Sequence, residues 1–365
     1  MDKKLRIAGI IAALAASAII LTSPSDPLPI PEPNFSQSGN DSVEIIATNL
    51  EKPRAIDFGD DRIFLTEKIG RVRVIQNNTL LEEPLATFRT ANVFDGGLLG
   101  IATHPEIQTN NFLYVYYTYE EDGKLWNKVV QIKENNNKLE DAITILDKIP
   151  GSPFSNGGAL KFGPDKKLYI TTGSTSDSSH LPQDLNSLAG KVLRINDDGT
   201  IPDDNPFEDS IVYSLGHRNP QGMTWDASGN LYVSDFGPTK NDEINLVIAG
   251  GNYGWPEQEC SGNPSYIDSL ICYDPAIEPG GILIYSGSKL PLEGKMIMAS
   301  LRATNLYQLE FSEDGIESTK SILGGLGRIR DVAQDPNGDL YIITSNTDGK
   351  GFPLSTDDKL LRIVN

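Results

Sequence analysis

Cysteine is nearly absent: Cys260 and Cys272 are the only two in 365 residues. Two thiols are too few for a structural zinc site. The eleven residues between them also lack the CxxC spacing of a redox pair. In an oxidising compartment an even pair this close reads as a disulfide closing a surface loop. Cations are scarce as well, with 31 Lys and Arg against 50 Asp and Glu and a net charge of −19. A surface that acidic repels phosphate backbones, so nucleic acid is excluded as a partner. Aromatic residues make up only 8%, beside 34 Gly and 23 Pro. That balance favours many short elements joined by tight turns over a few long helices.

Long apolar runs are missing too, apart from one at the N-terminus. Lys3, Lys4 and Arg6 precede an apolar run from Ile7 to Leu21, followed by a polar, Pro-rich stretch from Thr22 to Pro33. Residues 1–22 have the shape of an export signal. The small residues Ala13 to Ala15 lie inside the run, with Ile19, Ile20 and Leu21 still to come. An uncleaved membrane anchor therefore stays open beside a removed signal peptide. Residues 23–41 read as a Pro/Ser-rich linker, and residues 42–365 as one exported domain, extracellular, periplasmic or held on the outer face of a membrane.

A small polar turn followed by Leu-Tyr, or a close equivalent, recurs along that domain. It appears at Ile63-Phe64-Leu65, Leu113-Tyr114-Val115, Leu168-Tyr169-Ile170, Leu231-Tyr232-Val233 and Leu340-Tyr341-Ile342. Each copy can bury one face at a two-residue period. Neighbouring copies lie roughly 50 to 63 residues apart, and a degenerate copy at Lys295-Met296-Ile297-Met298-Ala299 fills the gap of 109 between Tyr232 and Tyr341. Short strands repeating at about 50 residues mark propeller blades. The expectation is an all-β fold, a six-bladed β-propeller of four-stranded antiparallel blades. Pairing of strands from both chain ends would close the ring, since an open edge invites aggregation. The irregular turns of a β-sandwich would not produce blade-length spacing.

The densest stretch reads Gln183 to Asn196, then Gly216-His217-Arg218-Asn219-Pro220-Gln221-Gly222, Gly237-Pro238, Asp242-Glu243-Ile244-Asn245-Leu246 and Gly251-Asn252-Tyr253-Gly254-Trp255-Pro256. Here the chain resembles the soluble pyrroloquinoline-quinone (PQQ) sugar dehydrogenases, the glucose/sorbosone dehydrogenase family, from about Leu50 to Val364. PQQ carries three carboxylates and an electrophilic ortho-quinone. Holding it takes fixed cations and a hard metal, and Arg suits planar carboxylates. The resemblance implies PQQ contacts at Arg218, Asn219, Arg302, Arg328 and Arg330. It also implies calcium: Gly237 and Pro238 would offer carbonyls to an ion bridging PQQ, while Glu243 and the carbonyl of Tyr253 match a second, structural site. The implied activity is oxidation of an aldose or related alcohol, with electrons passed to an external acceptor.

The pattern breaks at the base. Family members remove the substrate proton with a His oriented by an Asp nineteen residues later. In this chain those positions are Ser155 and Ser174, in unbroken register. The family's Gln before Gly97-Leu98-Leu99-Gly100 is Asp95. A serine hydroxyl is a poor base at neutral pH unless another group first takes its proton. Asp95 beside an anionic cofactor is one candidate base, and His180 swinging over the site is another. His104 and His217 read as structural. Two functions stay open: a PQQ- and calcium-dependent dehydrogenase, and a non-catalytic propeller binding another ligand or partner at the old cofactor mouth.

Overall fold

A computed structural model describes residues 43–364 except 177–178 and 313–314. The signal or anchor and the linker expected over residues 1–41 lie outside the described residues. Among the described residues helix is confined to Ile107–Asn110 and one 3-10 turn, Leu181–Gln183. Everything else regular is antiparallel strand, arranged as six sheets.

Each sheet is one blade. The innermost strands are Pro53–Gly59, Leu98–Thr103, Gly157–Phe162, Pro220–Trp225, Pro279–Ile284 and Ile329–Gln334, in blades 1 to 6. The second strands are Arg62–Glu67, Phe112–Glu121, Leu168–Thr172, Leu231–Asp235, Met296–Ser300 and Leu340–Thr344. All six repeat copies, the degenerate one included, are second strands. The outer edge of blade 1 is split between Thr79–Leu80 and Ala86–Thr87, both pairing with Arg71–Gln76. Blade 6 takes its outermost strand from the other end of the chain: Val43–Ala47 pairs with Leu360–Ile363. The ring closes by joining both termini, which removes the free edge.

One expectation shifts. Alternation predicts one buried face, yet the second strands Leu168–Thr172, Leu231–Asp235 and Leu340–Thr344 are buried throughout. Each is sandwiched between the blades on either side, so both faces meet apolar neighbours. The turn before these strands is held by an aspartate. Asp226 accepts from the backbone N–H of Ser228 and Asn230 and from the Tyr232 hydroxyl at 3.1 Å, and Asp165 repeats the Tyr contact with Tyr169 at 3.0 Å. The recurring polar turn and the tyrosine are thus one hydrogen-bonded unit.

Inner strands approach closely around the central channel. A Cβ at Gly280 would lie 2.1 Å from the Arg330 carbonyl oxygen, and one at Gly100 would lie 2.1 Å from that of Gly158. Only glycine allows that contact. The inner strands all begin at the same end of the channel, which is therefore ringed by the loops leading into them.

Candidate functional site

At this mouth the second residue of each inner strand forms a ring: Arg54, Leu99, Gly158, Gln221, Gly280 and Arg330. Blades 1 and 6 are neighbours, so Arg54 and Arg330 stand side by side although they lie 276 positions apart in sequence. Burial, then the charge of Arg54, holds the Arg330 guanidinium down at about 9. Burial lowers Arg54 as well, against partial relief from Asp95, Asp348 and Asp331. Lys68 is held at about 8 by burial and by Arg54. Guanidinium stays protonated in proteins, so for the two arginines these shifts express the cost of burying charge, offset in part by Asp95, Asp331 and Asp348.

A hydrogen-bonded chain ties the mouth together across three blades. Gly157 N–H and Gln221 Nε2 both donate to Asn219 Oδ1 at 3.0 Å, and Arg330 Nη2 donates to Gln221 Oε1. Asn219 is itself fixed by its N–H to Asp235 Oδ1 at 2.6 Å. Asp331, next to Arg330, accepts from Ile56 N–H at 3.0 Å and is pushed up to about 6 by burial. A carboxyl raised above its ordinary 3.8 contributes stability that is complete below that value and lost as pH rises through 6. Asp331→Asn should therefore flatten the fall in thermal stability between those pH values. It should leave the variant more stable by about 1–2 kcal/mol at neutral pH, after discounting for solvent in the channel. Calorimetry of both chains across that range checks it.

The expected residues occupy this end of the propeller in different states. Arg330 faces the channel. Arg328 is engaged by Glu278 at 2.9 Å, by Asp348 at 2.8 Å and by the Leu301 carbonyl at 3.3 Å. Arg302 is exposed, its N–H bonded to the Ile277 carbonyl at 3.0 Å. Arg218 lines a separate side cavity together with Gly237, Glu243 and Tyr253. It lies over the Trp255 ring at 5.3 Å and donates to the carbonyls of Phe236 and Gly237 at 2.8 Å. The structure thus brings Arg330 together with Arg54 and Lys68, which motif reading missed, and Arg218 together with the expected calcium residues.

In that side cavity Glu243 is pushed up to about 7 by burial and by Asp235. It accepts from Cys260 N–H at 2.7 Å and Asn245 Nδ2 at 3.0 Å. Among the described residues no three His, Cys, Asp or Glu side chains are grouped as a metal would need. The expected ligand set has a single carboxylate, Glu243, and draws its other oxygens from Gly237, Pro238 and Tyr253. Asp235 raises the cost of the Glu243 charge, an arrangement that suits a cation. The Gly237 carbonyl meanwhile is taken by Arg218. Cys260 and Cys272 form a disulfide beside this cavity.

Ser155 and Ser174 are neighbours, as their register implies. Thr175 N–H donates to the Ser155 carbonyl at 3.3 Å, and a Cβ at Gly173 would lie 1.8 Å from that oxygen. Ser155 is 4% exposed and Ser174 fully buried. The Ser174 hydroxyl donates to the Ser176 carbonyl at 3.3 Å, and the Ser155 hydroxyl has no hydrogen bond among the described residues. Neither touches a base. Asp95, a candidate base beside a bound cofactor, lies near Arg54, Lys68 and Arg330. His180 is 81% exposed and pairs with Glu257 at 3.3 Å. His217 is buried, 2.8 Å from the Ser214 hydroxyl and stacked on Tyr253. His104 accepts from Glu106 N–H at 2.9 Å within its own turn.

Fold and site together define a six-bladed propeller whose channel mouth gathers Arg54, Arg330 and Lys68 with Asp95, Asp331 and Asp348. The chain belongs to the glucose/sorbosone dehydrogenase family, whose sequence profile, "Glucose / Sorbosone dehydrogenase", matches residues 50–362. It is 34% identical to quinoprotein glucose dehydrogenase B of Acinetobacter calcoaceticus over 67% of this chain, a match that spans only 59% of that relative. It is 29% identical to an aldose sugar dehydrogenase of Escherichia coli K12, covering 86% of this chain and 92% of that one. The PQQ-bound structure of an aldose sugar dehydrogenase from Streptomyces coelicolor superposes with a TM-score of 0.80 at 32% identity, covering 88% of this chain and 98% of that one.

Proposed function

We propose that this chain is an exported quinoprotein dehydrogenase that binds PQQ at the channel mouth and calcium in the side cavity of Gly237, Glu243 and Tyr253, and that it oxidises an aldose or related alcohol. The observation that carries this reading is the adjacency of Arg54 and Arg330, two buried guanidinium groups lining the same end of the channel. A tricarboxylate supplies the complementary charge, and guanidinium is the group that fits it. When bound, PQQ supplies a quinone that accepts two electrons from the substrate, to be passed to an external acceptor. Arg330 and Arg54 would hold it, with Arg330 oriented by Gln221. The carbonyls of Gly237 and Pro238 would hold the calcium, with Arg218, which donates to the Gly237 carbonyl, beside it.

The contacts of Ser155 and Ser174 favour a second reading, in which the mouth binds PQQ or another polyanion without turnover. Titrating PQQ into the chain with calcium, and again with a chelator, separates the outcomes. We expect one PQQ per chain, uptake that depends on calcium, and slow sugar oxidation with an artificial acceptor. Uptake without turnover across a panel of sugars supports the binding protein, and absence of uptake removes both forms of the PQQ reading.

A further inference from the structure

Gly237, Arg302 and Arg328 stand on loops of three different sheets, so no strand ladder sets the distances between them. One turn touches all three loops. Ile277 and Glu278 lead into the inner strand of blade 5. Both of their N–H groups donate to Asp242 Oδ2 at 2.7 Å, while the Gly237 N–H donates to Asp242 Oδ1 at 2.8 Å. The Ile277 carbonyl accepts from the Arg302 N–H at 3.0 Å, and the Glu278 carbonyl accepts from the Leu301 N–H at 3.0 Å. The Glu278 carboxylate then reaches Arg328 Nη2 at 2.9 Å.

Asp242 has no exposed surface, and a buried carboxylate is costly unless its oxygens are hydrogen-bonded. Here the three backbone donors come from two blades, which locks one loop to the other. Glu278 has φ 53, a left-handed conformation that glycine and asparagine adopt at lower cost. What its side chain does accounts for a glutamate there. The Arg328 guanidinium that it grips is also held by Asp348 at 2.8 Å and by the Leu301 carbonyl at 3.3 Å. Two carboxylates balance that charge, so Arg328 serves as a strut. It immediately precedes the inner strand Ile329–Gln334, and fixing Arg328 fixes where the strand carrying Arg330 begins.

We propose that Asp242 and Glu278 are positioning residues that hold the Gly237 loop and the Arg330 strand in register through the Ile277–Glu278 turn. Calcium and cofactor then meet groups already placed, which lowers the ordering cost of binding both. The inference rests on the dehydrogenase reading for the identity of its two ligands.

Hydrogen exchange read by mass spectrometry on the cofactor-free chain tests the Asp242 link. Calcium is expected to slow exchange over residues 236–243 and also over 276–279. Asparagine has a single acceptor oxygen, so Asp242→Asn cannot serve both loops, and its calcium response should stop at 236–243. A parent chain that responds at 236–243 alone overturns the link. Titration of PQQ at saturating calcium tests Glu278. Glu278→Gly suits the left-handed backbone and removes only the side chain. It should weaken uptake about tenfold, the scale of one charge-assisted hydrogen bond lost from the support. Glu278→Gln, whose amide oxygen still accepts from Arg328, should recover most of that loss. Unchanged or tighter uptake in Glu278→Gly overturns the positioning role, since a carboxylate that merely occupied Arg328 would release it to the cofactor. If calcium alters exchange nowhere and the parent takes up no PQQ, the dehydrogenase reading falls and this inference with it.

Discussion

The double variant Ser155→His/Ser174→Asp is expected to oxidise its substrate about 10²–10⁴ times faster than the parent chain, the range a positioned general base supplies. The backbone is ready for it. Ser155 has φ 56, a left-handed conformation that histidine and asparagine adopt more readily than most residues. The Ser174 turn passes directly against Ser155, so an aspartate there would lie near the new imidazole and could orient it. The single changes should do far less. Histidine alone lacks its orienting partner, and aspartate alone buries an unpaired carboxylate at a position with no exposure. Groups that act as a unit are non-additive in this way. Initial rates with PQQ, calcium and an artificial acceptor measure the effect. A double variant that takes up PQQ and turns over no faster would show that the site has diverged beyond these two residues.

Removing the Arg330 guanidinium should separate binding from stability. Arg330→Met is expected to weaken PQQ uptake about 100-fold, since a charge-assisted hydrogen bond in a desolvated setting contributes about 1.5–3 kcal/mol. The same change should stabilise the cofactor-free chain by about 1–3 kcal/mol, because a buried cation beside Arg54 is exchanged for apolar packing. For a domain of this size each kcal/mol moves the midpoint by about 2–4 °C. Because a guanidinium stays protonated, the stability gap between variant and parent should hold constant from neutral to mildly alkaline pH. A variant less stable than the parent would mean that Arg330 is compensated in the free protein.

The candidate site was legible where it follows local motifs. Arg328, Arg330, Arg218 and Asn219 sit in recognisable runs, with Arg330 facing the channel and Arg218 lining the side cavity. Arg54 was missed because no motif surrounds it, yet a signal existed. Arg54, Gln221 and Arg330 each occupy the second position of an inner strand, and Arg54 and Gln221 each follow a proline that begins it. Aligning the blades on their inner strands, and not only on their Leu-Tyr copies, would have placed Arg54 in the ring. Lys68 and the Ile277–Glu278 turn offered no such alignment, since their roles depend on which loops meet in space.

Blade number, strand type, ring closure and the disulfide were all determined by the sequence alone. Blade number, strand type and disulfide depend on interactions that recur within a blade or close a short loop, which hydrophobic period and turn chemistry record directly, and ring closure follows from the cost of an open edge. Only the tertiary structure decided how charge is shared at the mouth. It set Arg54 beside Arg330 across the ring closure, committed Arg328 to Glu278 and Asp348, turned Arg218 onto the Gly237 carbonyl and surrounded Asp95 with cations. Coulombic and hydrogen-bond energies depend on distances of a few ångströms between groups that lie far apart along the chain, and those distances exist only once the blades have closed.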